Sequence, residues 1–178
     1  MKEKVHDTYT RITYKIPCAK YKKLSLLKLD YYLSIYINNC FDSSSKIYQE
    51  LVDKRVIDYG ISFSYDFINN YIVIYISDYT LKDDIFIKEI NNTINKREYD
   101  EEYFNIRKNQ SIISSVIRED NPHSKLAQQK ALFFDYNYTK VHKTKDYDQF
   151  SFKEYQEFIN KLSFDNYIVT KMINEEKK

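Results

Sequence analysis

The chain has 178 residues, of which 43% are apolar and 17% aromatic, and this length suits one domain that buries roughly 70% of the surface of its unfolded chain. Its 28 basic and 26 acidic side chains nearly balance, which argues against a nucleic-acid-binding protein, because such proteins gather a larger basic excess on one face. Residues 1–19 are polar and no apolar run approaches a membrane span, so the sequence predicts a cytoplasmic protein without a signal peptide.

The first half of the chain alternates between strand and helix patterns. β-favouring residues alternate over 6–16, and apolar residues recur at three- and four-residue steps over 21–39, which predicts a strand and then a core helix. A run of serines opens a second helix at 46–54. Alternation over 61–67, two turn-forming asparagines and a β-branched run over 71–77 predict a hairpin whose second strand is central and buried on both faces.

Helical patterns dominate the second half of the chain. Thr80 is placed to cap a helix that ends near residue 96, and Asp100 is placed to cap the next one. Asn121-Pro122 breaks that helix and starts another, with proline at its first position. The residues expected on the buried side of the helix after Asp100 are Phe104, Ile113, Val116 and Ile117.

The C-terminal part of the sequence predicts one more helix and one more strand. A polar connection over 138–149 leads to Ser151 and Glu154, which have the spacing of a capping box at a helix start, and a final strand follows over 167–173. No repeat and no linker divides the chain, so we predict one domain over residues 1–178. The order of strands and helices is typical of the α+β class.

The residue types that carry catalytic chemistry are scattered along the sequence. The three histidines, His6, His123 and His142, lie far apart, and the chain contains neither a His-x-x-Glu-His nor a His-Glu-x-x-His motif. Cys18 and Cys40 are too few for a four-ligand zinc site and are expected to be free thiols. The sequence therefore predicts no metal site, no cofactor and no catalytic residue in this chain.

One stretch of the sequence is more specific than the rest. It begins with two serines and a basic residue at the start of a helix, and it ends with a Tyr-Gly pair that leads into the hairpin. Its residues are Ser44-Ser45-Lys46-Ile47-Tyr48-Gln49-Glu50-Leu51, then Lys54-Arg55, then Tyr59-Gly60-Ile61-Ser62-Phe63-Ser64-Tyr65. This pattern resembles the insulinase or pitrilysin family of zinc peptidases, and within that family the non-catalytic repeats. The order of the later elements extends the resemblance over roughly residues 6–173.

The resemblance implies a fold and a set of partners. The expected fold is a mixed, largely antiparallel sheet with helices packed mainly on one face. Family members combine several such repeats into two halves that close around an unfolded peptide, and the catalytic repeat carries the inverted zinc motif. Because this chain lacks that motif, zinc is expected only in a partner catalytic domain or subunit. The other implied partner is an extended peptide substrate, with no role for nucleic acid or a membrane.

The resemblance also implies two candidate substrate-binding residues, Tyr59 and Arg55. In many relatives an Arg and a Tyr seven positions apart contact the substrate, and Tyr59 matches the Tyr. Val52 stands where the Arg is expected, and a valine can neither donate a hydrogen bond to a carbonyl nor stabilise an oxyanion. Arg55 matches the second basic position of the family pattern. Packing of Tyr59 at a strand edge is an equally good explanation of its presence.

Two hypotheses of different kinds follow. In the first, the chain is a non-catalytic domain or subunit of an insulinase-like peptidase, and it encloses peptide and assembles with the catalytic domain. In the second, it is a free-standing protein-interaction module without a peptidase partner. A partner that bears His-x-x-Glu-His would support the first hypothesis, and unrelated partners would support the second.

Overall fold

A computed structural model describes residues 8–17, 24–58, 60–136 and 143–172. Most of the predicted elements are present with small shifts at their ends. One is new: a short helix lies within the stretch that we predicted as a polar connection. The elements in chain order are β1 (Thr8–Pro17), α1 (Leu26–Phe41), α2 (Lys46–Asp53), β2 (Ser62–Ile68), β3 (Tyr71–Thr80), α3 (Asp83–Lys96), α4 (Glu101–Glu119), α5 (Pro122–Tyr136), α6 (Thr144–Asp148), α7 (Phe152–Lys161) and β4 (Tyr167–Met172).

The strands form one four-stranded sheet in the order β2-β3-β1-β4, and each pair of neighbours is antiparallel. The α+β class is therefore confirmed. In this order β3 and β1 are central, and β2 and β4 are the two edge strands of the described sheet. The chain divides into two compact units. The sheet unit contains the four strands, residues 36–98 and the end of α7, and the helical unit contains residues 24–35 and 99–159.

One face of the sheet is the core of the sheet unit. Its central side chains are almost fully buried because helices of this unit lie against them. The Tyr14 hydroxyl donates to the Asn91 side chain of α3 over 2.8 Å, and the ring of Tyr14 packs edge-on against Phe164. The predicted placement of helices on one face is confirmed. The central residues of this inner face, all at most 1% exposed, are Ile12, Tyr14, Ile16, Ile72, Ile74 and Ile76.

The opposite face of β3 is less buried than the sequence predicted. Val73 and Tyr75 alternate with the buried isoleucines and are only half-buried, so the prediction of burial on both faces is wrong for this strand. A β-branched run suits a central strand, but it does not reveal whether a second layer covers the outer face.

The helical unit is built on aromatic packing. Phe104 of α4 stacks on Tyr155 of α7 with ring centroids 5.3 Å apart, and Tyr31 of α1 stacks on Phe150 at 4.4 Å. Tyr32 lies within 6.3 Å of Phe104 and is fully buried. Such pairs contribute about 0.5–1.5 kcal/mol each beyond the burial of their area, so the cluster stabilises this unit.

For helix α4, the prediction of burial is wrong for three residues. Phe104 is buried as predicted, but Ile113, Val116 and Ile117 are 59%, 46% and 65% exposed. These three lie on a different side of the helix from Phe104, and their side chains face solvent in the described chain. Together with four other exposed apolar side chains of α4 and α5, they are here called the α4–α5 surface. Its members are Ile106, Ile113, Val116, Ile117, Leu126, Phe133 and Phe134.

Two predicted helix starts are only partly correct. Asp100 caps α4 by accepting from the Tyr103 amide over 2.9 Å, as predicted. Thr80 is instead the last residue of β3, and the N-cap of α3 is Lys82, which makes no capping bond with its side chain. The Thr80 hydroxyl accepts from the Lys82 amide over 3.1 Å and donates to the Val56 carbonyl over 2.7 Å. It therefore joins the end of the strand to a neighbouring loop.

The predicted capping box of α7 is half formed. The Ser151 hydroxyl accepts from the Glu154 amide over 3.1 Å, which is the expected cap. The Glu154 carboxylate does not return to Ser151, because it accepts from the Lys28 ammonium and from the Tyr32 hydroxyl, each over 2.7 Å. The Ser151 amide donates to the same Tyr32 hydroxyl over 3.3 Å.

Among the described helices, none is both long enough and apolar enough to span a membrane.

Candidate functional site

Of the two predicted site residues, the structure describes Arg55 but not Tyr59. Tyr59 lies outside the described residues. Arg55 is exposed and directly follows the C-cap of α2 with a φ of 51°. Its amide donates to the Val52 carbonyl over 2.9 Å, and the Val56 amide donates to the Leu51 carbonyl over 2.8 Å. This is the Schellman pattern of helix ends, which places its αL residue where glycine is favoured.

We expect Arg55→Gly to stabilise the protein by about 0.5–1 kcal/mol, because a left-handed backbone costs a non-glycine residue about that much or more. Urea unfolding followed by circular dichroism measures the change. Arg97 is the matched case, since it also has a positive φ, of 54°, but its guanidinium donates to the Leu162 carbonyl over 2.9 Å. Arg97→Gly should therefore stabilise less or destabilise. Equal stabilisation by both variants, or loss of stability in Arg55→Gly, would contradict this account.

Val52 lies within α2 and is half-buried. Its side chain offers no hydrogen-bonding group, so no guanidinium is available at the position where the resemblance leads one to expect it. The local geometry explains Arg55 as a helix terminator, and its side chain is exposed.

The loop between α2 and β2 is anchored at its start. Val56 and Ile57 are 0% and 2% exposed, the Val56 carbonyl accepts from Thr80 and Leu81, and Ile57 forms a bridge with Thr80. Gly60, which follows Tyr59, has no positive φ and nothing within 4 Å of the place where a Cβ would stand. The anchored loop leads to Ser62, the first residue of β2.

The outer face of the sheet is here called the open sheet face. The strand register places alternate residues of the four strands on it. It carries four tyrosines, several hydroxyls and two cationic side chains, against one carboxylate. Its members are Tyr9, Arg11, Thr13, Lys15, Ser62, Ser64, Asp66, Ile68, Tyr71, Val73, Tyr75, Ser77, Tyr79, Ile168, Thr170 and Met172.

A depression of about 260 Å³ lies on this face near the start of β2. Arg11 lines it: the guanidinium donates to the Tyr9 hydroxyl over 2.8 Å and lies 5.8 Å from the centre of the Tyr75 ring. Within the described ranges no carboxylate pairs with Arg11. The remaining residues of the depression are Ser62, Phe63, Ser64 and Ser77.

Tyr9 is polarised by its neighbours in the depression. A hydrogen bond with the Ser77 side chain lowers the pKa of Tyr9; burial opposes that shift, and Arg11 reinforces it. A second cation stands further along the face, where the Lys15 ammonium lies 4.2 Å from the centre of the Tyr71 ring. Aromatic faces, hydroxyls and cations that pair with no described carboxylate together suit the carbonyl and carboxylate groups of an extended chain.

The described residues contain no group of three or more His, Cys, Asp or Glu that could hold a metal ion. His123 is exposed at the start of α5, where its amide donates to the Asn121 side chain over 3.0 Å. His6, His142 and Cys18 lie outside the described ranges. Cys40 is a free, buried thiol, and burial raises its pKa to about 12, so it is not a nucleophile at neutral pH.

No protein-family model matches the sequence, and no curated protein matches it either. Solved structures do resemble the fold. A protein assigned as an M16-like peptidase from Alicyclobacillus acidocaldarius matches with a TM-score of 0.69 at 16% identity, over 94% of this chain and 41% of that one. The inactive peptidase domain of a protein assigned as a zinc protease from Bordetella parapertussis matches with a TM-score of 0.66 at 12% identity, over 100% and 96% of the two chains.

The chain has the fold of M16-like peptidase domains. A further match is a mutant of the ferredoxin protease FusC in complex with Arabidopsis ferredoxin, with a TM-score of 0.69 at 12% identity over 96% of this chain and 19% of that one. The chain thus spans about two fifths of the M16-like peptidase and one fifth of FusC, and nearly all of the inactive domain. The M16-like fold agrees with the resemblance read from residues 44–65.

Sequence reasoning missed the residues of the depression. Tyr9 and Arg11 lie two positions apart on a predicted strand, and this spacing indicates that they share a face of the sheet. The sequence does not reveal that Ser77 lies opposite Arg11 and that Tyr75 lies opposite Thr13, because strand order and register decide which residues are neighbours.

Proposed function

We propose that this chain is a non-catalytic domain or subunit of an insulinase-like zinc peptidase, which assembles with a zinc-bearing catalytic domain and helps to enclose an extended peptide. The observation that carries the proposal is the exposed α4–α5 surface on a fold that matches an inactive peptidase domain over nearly its whole length. Large exposed apolar surfaces are typical of proteins that pack against another protein.

The α4–α5 surface is large enough for a stable interface with a partner protein. Its seven large apolar side chains are between 46% and 78% exposed, which amounts to on the order of 700 Å² if each presents on the order of 100 Å². A standard interface buries about 800 Å² on each partner. The proposed occupant is the catalytic domain, through an apolar face of its own, because an apolar surface gains most by covering another.

The open sheet face supports the peptide-holding role. Arg11 and Lys15 present cations to solvent beside aromatic rings, and an extended peptide offers carbonyl oxygens and carboxylates to such groups. The edge strand β2 pairs only with β3 in the described sheet, so its outer backbone groups suit the addition of a peptide strand. Tyr59 and Arg55 are proposed to contact the peptide from the loop that leads into β2.

A direct share in catalysis is not part of the proposal. Val52 takes the position of the arginine that would contact the transition state, and the zinc with its ligands would belong to the partner. The role left to this chain is binding and orientation of the peptide, which affects the rate through the position of the scissile bond.

Purification of the tagged chain from the cells that produce it should recover a chain that bears His-x-x-Glu-His. The double variant Ile113→Glu and Ile117→Glu should lose that chain, because two carboxylates would be buried without partners at the interface, at a cost of several kcal/mol. Mass spectrometry of the recovered proteins, with the amount of the zinc-motif chain as the readout, measures the loss.

The control is Lys153→Glu, an exposed position on α7 outside the α4–α5 surface, which should recover the partner at the wild-type level. Circular dichroism should show that all variants are folded. The proposal fails if no chain with the zinc motif accompanies the wild type, or if the double variant retains it. Recovery of unrelated proteins alone would favour the free-standing interaction module.

A further inference from the structure

A polar cleft of about 300 Å³ lies in the helical unit between α1 and α4. Most of the side chains in its lining carry hydrogen-bond donors, and none of them is a carboxylate. A volume of this size lies at the lower end of the range for small-molecule sites. The lining residues that matter here are Arg107, Arg118, Ser34, Gln110, Ser111 and Ser114.

The two arginines of the cleft are partly buried cations without an anion. Arg107 and Arg118 are half-buried, and neither forms an ion pair within the described ranges. Glu119 follows Arg118, but its carboxylate accepts from the Thr144 amide over 2.7 Å and from the Thr144 hydroxyl over 3.0 Å. A guanidinium stays charged at any ordinary pH and pairs well with carboxylate or phosphate.

A buried hydroxyl in the wall of the cleft is poorly satisfied within the chain. Tyr31 is 8% exposed, it lines the cleft, and no described group meets its hydroxyl oxygen with hydrogen-bond geometry. Burial raises the pKa of Tyr31, and the Ser111 side chain only partly opposes that shift. A buried donor without a close acceptor is unfavourable, and a bound oxyanion would supply the acceptor. This observation is independent of the arginines, since Tyr31 belongs to α1 and not to α4.

We propose that this cleft binds an elongated small anion that carries phosphate or carboxylate groups toward both ends. Arg107 and Arg118 are eleven residues apart on one helix, so they lie on the same side and their Cα atoms are about 16 Å apart along the axis. With the Cα atoms this far apart, a ligand charged toward both ends reaches both guanidiniums with less movement of the two side chains than a compact one. The serines between them, Ser111 and Ser114, offer hydroxyls to the middle of the ligand.

The cleft is separate from the surface used in the proposed function. Arg107, Ser114 and Arg118 share one side of α4, whereas Ile113 and Ile117 share another side, by the 100° step between successive helical residues. Both sites can therefore be occupied at once. A result at the cleft does not decide whether the α4–α5 surface binds a catalytic domain, because the two tests use different variants and different readouts.

Calorimetric titration of the full chain with tripolyphosphate at low ionic strength tests the site. Arg107→Gln and Arg118→Gln should each weaken binding about tenfold or more, as expected for the loss of a charge-assisted hydrogen bond. Inorganic phosphate, which is more compact, should bind at least tenfold more weakly than tripolyphosphate. A parallel titration with azelate, a long dicarboxylate, distinguishes a carboxylate ligand from a phosphate ligand by which of the two binds more tightly.

The matched control is Lys130→Gln on the exposed surface of α5, which should leave the affinity unchanged. Ser114→Asp provides a second variant at an exposed position, and its carboxylate should repel the anion without disturbing the fold. Thermal unfolding without ligand confirms that each variant is folded. The site is refuted if neither tripolyphosphate nor azelate binds at millimolar concentration, if the arginine variants bind like the wild type, or if Lys130→Gln loses as much affinity as they do.

Discussion

Replacing Phe104 by alanine should destabilise the protein by about 3–5 kcal/mol, because the change leaves a large cavity in a packed aromatic core. Phe104 is 1% exposed and its ring packs against those of Tyr31, Tyr155 and Phe152 at 5.3–6.2 Å. A domain of ordinary stability has only about 5–15 kcal/mol in total. Urea unfolding followed by far-ultraviolet circular dichroism measures the loss.

Phe134→Ala is the matched control for that experiment. Phe134 is also a phenylalanine on a helix of the same unit, but it is 78% exposed, so its removal should change the free energy of unfolding by less than about 0.5 kcal/mol. A small effect of Phe104→Ala, or a large one of Phe134→Ala, would show that the aromatic cluster does not have the packing described here.

Glu154→Gln should destabilise the protein by about 1–2 kcal/mol at neutral pH. The carboxylate bridges the Lys28 ammonium and the Tyr32 hydroxyl, and hydrogen bonds with a charged partner contribute about 1.5–3 kcal/mol when well buried. A value near the lower end is expected because the Glu154 side chain is 34% exposed and water screens it. Equilibrium unfolding in urea at pH 7 measures the change.

The pH dependence gives an independent test of Glu154. Burial alone would raise the pKa of Glu154, but the bonds from Lys28 and Tyr32 outweigh it and lower the pKa below 4.5. Since the folded state holds the proton less tightly than the unfolded state, this stabilisation is complete above about pH 4.5 and is lost as the pH falls through the folded value. The difference in stability between wild type and Glu154→Gln should therefore shrink in acid.

Glu157→Gln is the control for both measurements, because Glu157 is exposed on the same helix. It should change the stability little at any pH between 3 and 8. An unchanged difference between wild type and Glu154→Gln across that range would exclude the ion pair as the cause of the destabilisation.

The positions of helices and strands could be predicted from the sequence, whereas the partners of individual side chains could not. Hydrophobic period, proline and N-cap residues located nearly all of the helices and strands, because these signals are local. Glu154 shows where local reasoning fails: its spacing from Ser151 fits a capping box, yet Lys28 lies 126 residues away along the chain and takes its carboxylate. Long-range partners of this kind are decided by tertiary packing and leave no local pattern.

The exposed isoleucines of α4 show a second limit. Ile113 and Ile117 have the spacing of a buried stripe, and that spacing led to the prediction that they are buried. The prediction is wrong for the described chain, where they are 59% and 65% exposed. Arg55 shows the reverse case, in which a residue chosen by family resemblance has a structural explanation at a helix end. Whether Arg55 also contacts peptide stays a prediction.

The two edge strands of the sheet differ in a way that matters for the behaviour of the isolated protein. β4 carries Lys171, which forms ion pairs with Asp83 and Asp84, and a charged lysine of this kind acts as a gatekeeper against aggregation. β2 has no lysine, and Phe63, Tyr65 and Phe67 alternate along it. Unwanted self-association should therefore begin at β2, and a chaperone or a bound partner strand that covers this edge would keep the chain monomeric.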